Sequence, residues 1–454
     1  MNKNIYLIAA TLTLSSCGIY TNYHKAESVP DNLYGEEVAV DTSTVSLGDL
    51  AWRNLFTDPQ LQALIEKGLQ NNIDLQSARL RVEQAEATLL SAKLAYLPSF
   101  ALAPQATVSS FDKQKATQTY QLPVAASWQF DLFGGIRNAK EQAKALRDQS
   151  KDYEQAVQTQ LIAGIANIYY TLQMLDTQLA ISRETEKSWG ESVKSTRALM
   201  NAGMANEAAV SQMEAAHYSV QTSILDLEEQ INSVENSLSL LLAEPAHHVA
   251  RASEVSFGYP EQLSVGLPVQ VLANRPDVRA AERQLEAAFY GTNAARSAFW
   301  PNITLSGSAG WTNAAGTMII NPGKFVASAV GSLTQPLFAQ GKLLAQYKIA
   351  KATQEQASLS FQQAILNAGK EVNEALVACQ HSREKSALFE SQVAALQKAY
   401  KSTSLLMQHG STTYLEVLTA QQSLLSAQLQ QTANRFAEIQ NIITLYQALG
   451  GGKN

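Results

Sequence analysis

Apolar residues recur along much of this chain at alternating intervals of four and three. Met213, His217, Val220, Ile224, Leu227, Ile231, Val234, Leu238 and Leu241 form one series, a heptad seam broken only by His217. Leu161, Ile165, Ile168, Leu172, Leu175 and Leu179 repeat the rule upstream, and Phe361, Ile365, Ala368, Val372, Leu376 and Cys379 form a third series. No proline interrupts Gly135 to Met200, and roughly 1.5 Å of rise per residue makes this a helix about 100 Å long. The stretch from Gly341 to Gln408 predicts a second rod of the same kind. Faces opposite the seams carry Gln, Ser, Thr and Ala, so the rods suit a coiled-coil array or a helical barrel better than a globular core.

Four shorter stretches switch to a period of two. Ile303, Leu305, Gly307, Ala309 and Trp311 share one face, with Asn302, Thr304, Ser306 and Ser308 on the other. Tyr120, Leu122, Val124, Ala126, Trp128 and Phe130 alternate with Gln121, Ser127 and Gln129, and Phe325, Ala327, Ala329, Gly331 and Leu333 with Ser328, Ser332 and Thr334. Phe100 to Ser109 is a weaker fourth strand. Small side chains, aromatics near the ends and roughly ten residues of alternation fit transmembrane β-strands. Four strands cannot close a barrel, and lipid tolerates no open sheet edge, so a membrane-spanning reading requires several copies of the chain. A four-stranded soluble sheet is the alternative.

The pattern occurs twice. Pro98 aligns with Pro301, Asp74 with Asp277, Ala78 with Ala281 and Glu83 with Glu286, while Phe130 to Gly135 resembles Gln335 to Gly341. Leu199-Met200 and Leu406-Met407 precede Gly203 and Gly410, and Val210 and Val417 follow them by seven residues. The offset stays between 203 and 207, which indicates duplication. Each half reads as helix, two strands, long helix, turn, helix. Glycine suits the two turns because it takes the left-handed conformation that ends a helix.

The N-terminus places the chain in a compartment. Ile5 to Leu14 is apolar but too short to span a bilayer, as in a signal peptide, and it runs into Leu14-Ser15-Ser16-Cys17-Gly18. This resembles the lipobox of bacterial lipoproteins, in which Cys17 becomes the acylated first residue; several acyl chains anchor stably. Gly18 is not the aspartate that retains such proteins at the inner membrane. Cys379 is then the one remaining cysteine, expected as a small buried apolar residue. The 454 residues carry a net charge of −6 without a basic cluster, which argues against nucleic acid. Enzyme chemistry finds little support. His247-His248 are neighbours that do not share a helix face, Glu228-Glu229 and Glu36-Glu37 read as solvated faces, and no HExxH, CxxC or P-loop occurs. No cofactor is expected beyond the lipid on Cys17.

These features together resemble the TolC-like outer membrane efflux proteins, and more narrowly the NodT-type lipoprotein branch that serves RND tripartite pumps. The motifs are Trp52, Phe56, Asp58-Pro59, Leu61, Leu64-Ile65 and Asn72-Ile73-Asp74-Leu75; then Asn274-Arg275-Pro276-Asp277-Val278 with Ala281-Glu282, Phe299-Trp300-Pro301, Gln335-Pro336-Leu337-Phe338 and Tyr414-Leu415-Glu416-Val417-Leu418. The resemblance implies a mainly α fold with a β-barrel part: a homotrimeric α-helical barrel continuous with a 12-stranded outer membrane barrel, four strands per chain. It implies an organisation of signal peptide 1–16, lipidated segment 17–57, first repeat 58–243 with strands about 99–110 and 119–131, equatorial connector 244–266, second repeat 267–450 with strands about 302–312 and 324–335, and tail 451–454. The loops Asp112 to Thr119 and Asn313 to Lys324 then face the exterior. The partners implied are a periplasmic adaptor (membrane fusion protein), an inner membrane RND-type pump and outer membrane lipid. An adaptor-like or scaffold lipoprotein is the alternative, although adaptors carry one helical hairpin and this chain has two.

In such a family the periplasmic tip closes by inward coiling of helices, with carboxylate rings at the aperture. Glu416 stands where relatives have an aspartate, and Thr419 where a second acidic ring would lie. Thr412 and Met407 replace a lock arginine and tyrosine, Ala209 replaces their acidic partner, and Tyr414, Asn206 and Glu207 are candidate substitutes.

Overall fold

The computed structural model describes residues 21–24, 33, 46–112, 114–253, 257–258, 273–313, 324–409 and 411–452. The signal peptide, Cys17, Glu36-Glu37, Lys113, Thr317, Gly410 and most of the connector after Ser253 lie outside them. In chain order the elements are a 3-10 turn Leu47–Asp49, α1 Trp52–Leu55, α2 Pro59–Asn71, α3 Ile73–Leu94, β1 Ser99–Leu102, β2 Gln105–Ser109, β3 Thr117–Phe130, α4 Gly135–Asn201, α5 Glu207–Leu241, α6 Pro276–Ser297, β4 Asn302–Thr312, β5 Lys324–Thr334, α7 Lys342–Gln408 and α8 Tyr414–Ala448. The long helices α4 and α7 have 67 residues each, as the proline-free stretches predict. Among the described residues no helix is long and apolar enough to cross a membrane.

Two departures from the expected order have local causes. The first helix of the first repeat breaks at Asn72, whose side chain caps α3 by accepting from Leu75 N (2.9 Å) and donates to Leu241 O (2.9 Å). The strand expected over 99–110 divides into β1 and β2 at Ala103-Pro104. Opposite the break lies Pro123 of β3, whose carbonyl accepts from Ala103 N (3.1 Å) but which has no N–H to return.

The chain forms two compact units, and α4 and α7 contribute residues to both. The first (1–28, 80–152, 280–364) contains an antiparallel sheet in the order β1/β2, β3, β4, β5. Its register aligns the apolar positions across the strands: Leu122, Trp311 and Phe325 form one row, Val124, Ala309 and Ala327 another, and Phe130, Ile303 and Leu333 a third. Polar rows alternate with them, such as Ser127 with Ser306, and Ser308 with Ser328, whose hydroxyls lie 2.9 Å apart. The apolar face is uncovered, with Trp311 46% and Leu333 68% exposed. Among the described residues β5 pairs only with β4, and β1 and β2 only with β3, so both edges are open. Asp131 caps α4, accepting from Ile136 N (3.1 Å) and Arg137 N (2.7 Å).

The second unit (29–79, 153–279, 365–454) holds the main core, built from Trp52, Phe56, Ile65, Tyr169, Tyr170, Ile442 and Tyr446 among others. Asp58 caps α2 through Gln60 N (2.9 Å) and accepts from the Tyr169 hydroxyl (2.6 Å). Arg275 is buried, donating to Ala448 O (2.9 Å) at the end of α8 and to Asp277 and Glu371, which gives the Asn274–Val278 motif its structural role. Three segments remote in sequence meet on this core: Tyr446 donates to Leu50 O (2.8 Å), Gly258 N to Leu55 O (3.0 Å) and Gly452 N to the Tyr446 hydroxyl (2.8 Å). Cys379 is buried and free, and burial pushes its thiol up to about 11.

Candidate functional site

The two turns close their helices by the same bond. Met204 N donates to Leu199 O (2.9 Å), with Gly203 at φ +77° between them, the left-handed residue that a six-to-one closure requires. At the second turn Ser411 N donates to Leu406 O (2.8 Å), 207 positions further along. The equivalent Gly410 lies outside the described residues.

Around the turns, the candidate aperture residues take distinct roles. Asn206 caps α5, accepting from Ala209 N (2.9 Å), so its side-chain oxygen is engaged by its own helix. Glu207 is exposed in the first turn of α5, where the helix dipole favours a carboxylate. Ala209 is fully buried and Met407 half-buried. Thr412 donates to the exposed carboxylate of Glu416, and Thr419 to its own helix at Leu415 O (2.8 Å). Tyr414 is the residue that links the turns: its hydroxyl donates to Gln212 Oε1 of α5 (2.9 Å). Gln212 was not anticipated, yet it lies nine residues past Gly203, as Thr419 does past Gly410, so the repeat alignment points to it.

Further along α5, all nine seam positions from Met213 to Leu241 are buried or half-buried, while nearly all residues between Gln221 and Leu240 that are off the seam are exposed. His217, the break in the seam, forms a polar rung: its Nε2 lies 2.7 Å from Glu186 of α4, which also accepts from Gln221 (3.0 Å). The bonds from Gln221 and then His217 hold the Glu186 carboxyl below its ordinary range. Trp189, Met213, Ala216, Val220 and Leu418 make an apolar layer joining α4, α5 and α8. Beside it Ser188 meets the Tyr400 hydroxyl (3.1 Å) and accepts from Gln421 Nε2 (3.1 Å), tying α4 to α7 and α8. Trp189 Nε1 and Gln421 Oε1 are buried in this region without a hydrogen-bond partner.

The histidine pair is structural: His248 Nδ1 lies 2.8 Å from Glu235 Oε1 and His247 Nδ1 3.0 Å from Pro245 O. Glu228 is exposed and paired with Arg183 (2.7 Å). Among the described residues no three His, Cys, Asp or Glu side chains are grouped to hold a metal.

Known proteins share this architecture across nearly the whole chain. The sequence is 28% identical over 446 residues to the cation efflux system protein CusC of Escherichia coli, covering 97% of each chain. It is 28% identical to SilC of Salmonella typhimurium, described as a probable outer membrane lipoprotein, over 99% of this chain and 97% of that one. The solved outer-membrane channel OprN superposes with a TM-score of 0.86 at 25% identity, covering 95% of this chain and 98% of its own. The family model for outer membrane efflux proteins matches residues 64–244 and again 267–451, the two tandem stretches with their paired strands and glycine turns; the chain belongs to the outer membrane efflux protein family.

Proposed function

We propose that three copies of this chain assemble into a lipid-anchored outer membrane conduit whose periplasmic end is gated at the Gly203 and Gly410 turns. The chain is an efflux channel of the outer membrane, not an enzyme, with its helical part in the periplasm. The open sheet supports assembly: an apolar face in register with two unpaired edges is stable in lipid only when other copies pair those edges. Three copies at four strand positions each, with β1 and β2 counted together, make a twelve-stranded barrel like that of the family's trimeric channels. The sheet then spans the membrane, the segments around Leu50, Gly258 and Gly452 form an equatorial belt, and the loops beyond Ser109 and Thr312 face outward. Cys17 carries the acyl anchor, and the described lipoprotein SilC supports that reading. Cargo arrives from a periplasmic adaptor and an inner membrane pump of the RND type.

Glu416 carries the proposed aperture. In a trimer its exposed carboxylate becomes three like charges around one axis, which attract cations. Glu416→Ala lowers the cation selectivity of the reconstituted channel, and Glu416→Lys lowers conductance further and impairs efflux. Single-channel currents in planar bilayers measure both; normal trimers with unchanged selectivity and conductance place Glu416 outside the constriction.

A further inference from the structure

A cavity of about 580 Å³ opens at the base of the sheet, in the first unit, lined by Phe133, Arg296, Phe299, Trp300, Leu344 and Tyr347. Half of its lining residues are aromatic: Phe133 stacks on Trp300 (5.4 Å between centroids) and Phe299 meets Tyr347 edge-on (6.2 Å). Arg296 sits at the rim, 5.8 Å from the Tyr347 ring centroid, with Nη2 donating to the Tyr347 hydroxyl (3.3 Å). Trp300 immediately precedes the Pro301-Asn302 start of β4, and Phe133 follows β3 closely, so the cavity marks the level where strands give way to helices. Tryptophan and tyrosine favour the membrane–water interface.

The N-terminal segment is directed at this cavity. Tyr23 packs on Phe289 of α6 (5.8 Å), and Asn293 donates to Thr21 O (3.4 Å), so the chain traced backward from Tyr23 climbs α6 toward its C-terminal end. Phe289, Asn293 and Arg296 are spaced four and three, one stripe of α6 that leads toward the cavity, and Trp300 stands in the turn that follows the helix. Cys17 lies four residues before Thr21, a reach of up to about 14 Å. From Asn293 to Ser297 the helix rises only about 6 Å.

We infer that this cavity seats an acyl chain of the lipid on Cys17 of the same polypeptide, with Arg296 at the rim offering N–H donors to its ester carbonyl oxygens. The inference rests on lipidation of Cys17. The occupant is committed by chain direction and length: Tyr23 and Thr21 run along the stripe in that direction, and four residues of chain are long enough to reach from Thr21 to the cavity. Held there, the anchor is fixed beside the strand base instead of ranging over the leaflet.

The test feeds cells expressing the full chain a fatty acid bearing a photoreactive diazirine. Membranes are illuminated, and the trimer is purified and mapped by peptide mass spectrometry. The expected result is a Cys17 lipopeptide crosslinked to the segment Phe299–Pro301 or Leu344–Tyr347. Leu344→Trp, which fills the cavity from a half-exposed position, should abolish those crosslinks while leaving Cys17 acylated and the trimer assembled. An unacylated Cys17 peptide would overturn lipidation and the seat with it. An acylated peptide crosslinked only to lipid or to the outer strand faces would overturn the seat alone. Crosslinks joining isotopically light and heavy copies would assign the cavity to a neighbouring copy. Equal labelling of the cavity by a photoreactive phospholipid in the acylated protein would assign it to bulk lipid. Either of these last two results overturns the inference.

Discussion

Replacing Arg251 by methionine removes the cation on which the connector depends. The Arg251 side chain is 7% exposed; Nε and Nη2 reach both oxygens of Asp176 on α4, and Nη1 lies 2.5 Å from Glu235 Oε1 on α5. The two carboxylates are left in different states. Glu235 is 9% exposed and would lose its buried cation, keeping His248 Nδ1 (2.8 Å) and Val249 N (3.4 Å) beside its carboxylate, whereas Asp176 is 43% exposed and would be rehydrated. Removing one partner of a buried pair costs about 3–5 kcal/mol. The Asp176 share falls toward the roughly 0–1 kcal/mol of a solvated pair, so Arg251→Met is expected to cost about 3 kcal/mol. Because most of that is the Glu235 carboxylate deprived of its buried cation, the double variant Arg251→Met/Glu235→Gln should recover about 2 kcal/mol, a coupling expected of contacting residues. Thermal melting of the purified trimer in detergent, at matched scan rates, compares wild type, both single variants and the double. A loss below about 1 kcal/mol in Arg251→Met would refute the reasoning, as would additive losses in the double variant, since contacting residues do not add.

Three further outcomes follow from the same geometry. Burial, then the hydrogen bond to Asp58, raises the Tyr169 hydroxyl above its ordinary value, so its neutral form stabilises the fold fully below pH about 10 and this contribution is lost as pH rises through the raised value. Tyr169→Phe should therefore melt lower at neutral pH but converge on wild type in alkaline titration; a constant gap would contradict this. Gly310→Ala places a Cβ 2.2 Å from Leu122 O and 2.5 Å from Pro123 Cα, which forces β3 and β4 apart, and the heat-modifiable trimer band on gels should be lost. Tyr414→Phe removes the bond to Gln212 that joins the two turns and, if those turns form the proposed gate, should raise the open probability of single channels; gating identical to wild type would place this bond outside the gate.

Much of the fold was legible because its signals are local. The heptad positions from Met213 to Leu241 are covered and the residues between them largely exposed, since a helix repeats its faces within two turns. The strands β4 and β5 fall where alternation placed them, to within a residue. Departures arose where a local signal met a partner far along the chain. The division of the first strand reflects Pro104 together with Pro123, which register brings opposite the adjacent Ala103. The role of His217 depended on Glu186, on another helix, and Gln212 became a site residue only through Tyr414, 202 positions away.

The amino-acid sequence by itself determined the period of each element, the duplication, the glycine turns and the family, because periodicity, helix breakers and repeat offsets are properties of neighbours along the chain. Only the tertiary structure decided which polar groups are joined: Arg251 to Asp176 and Glu235, Tyr446 to Leu50, and Tyr414 to Gln212. It also decided that Thr21 and Tyr23 run along α6 toward the aromatic cavity. The reason is that a hydrogen bond or a packed ring needs its partner within a few ångströms, and packing brings together residues whose separation along the chain carries no such signal.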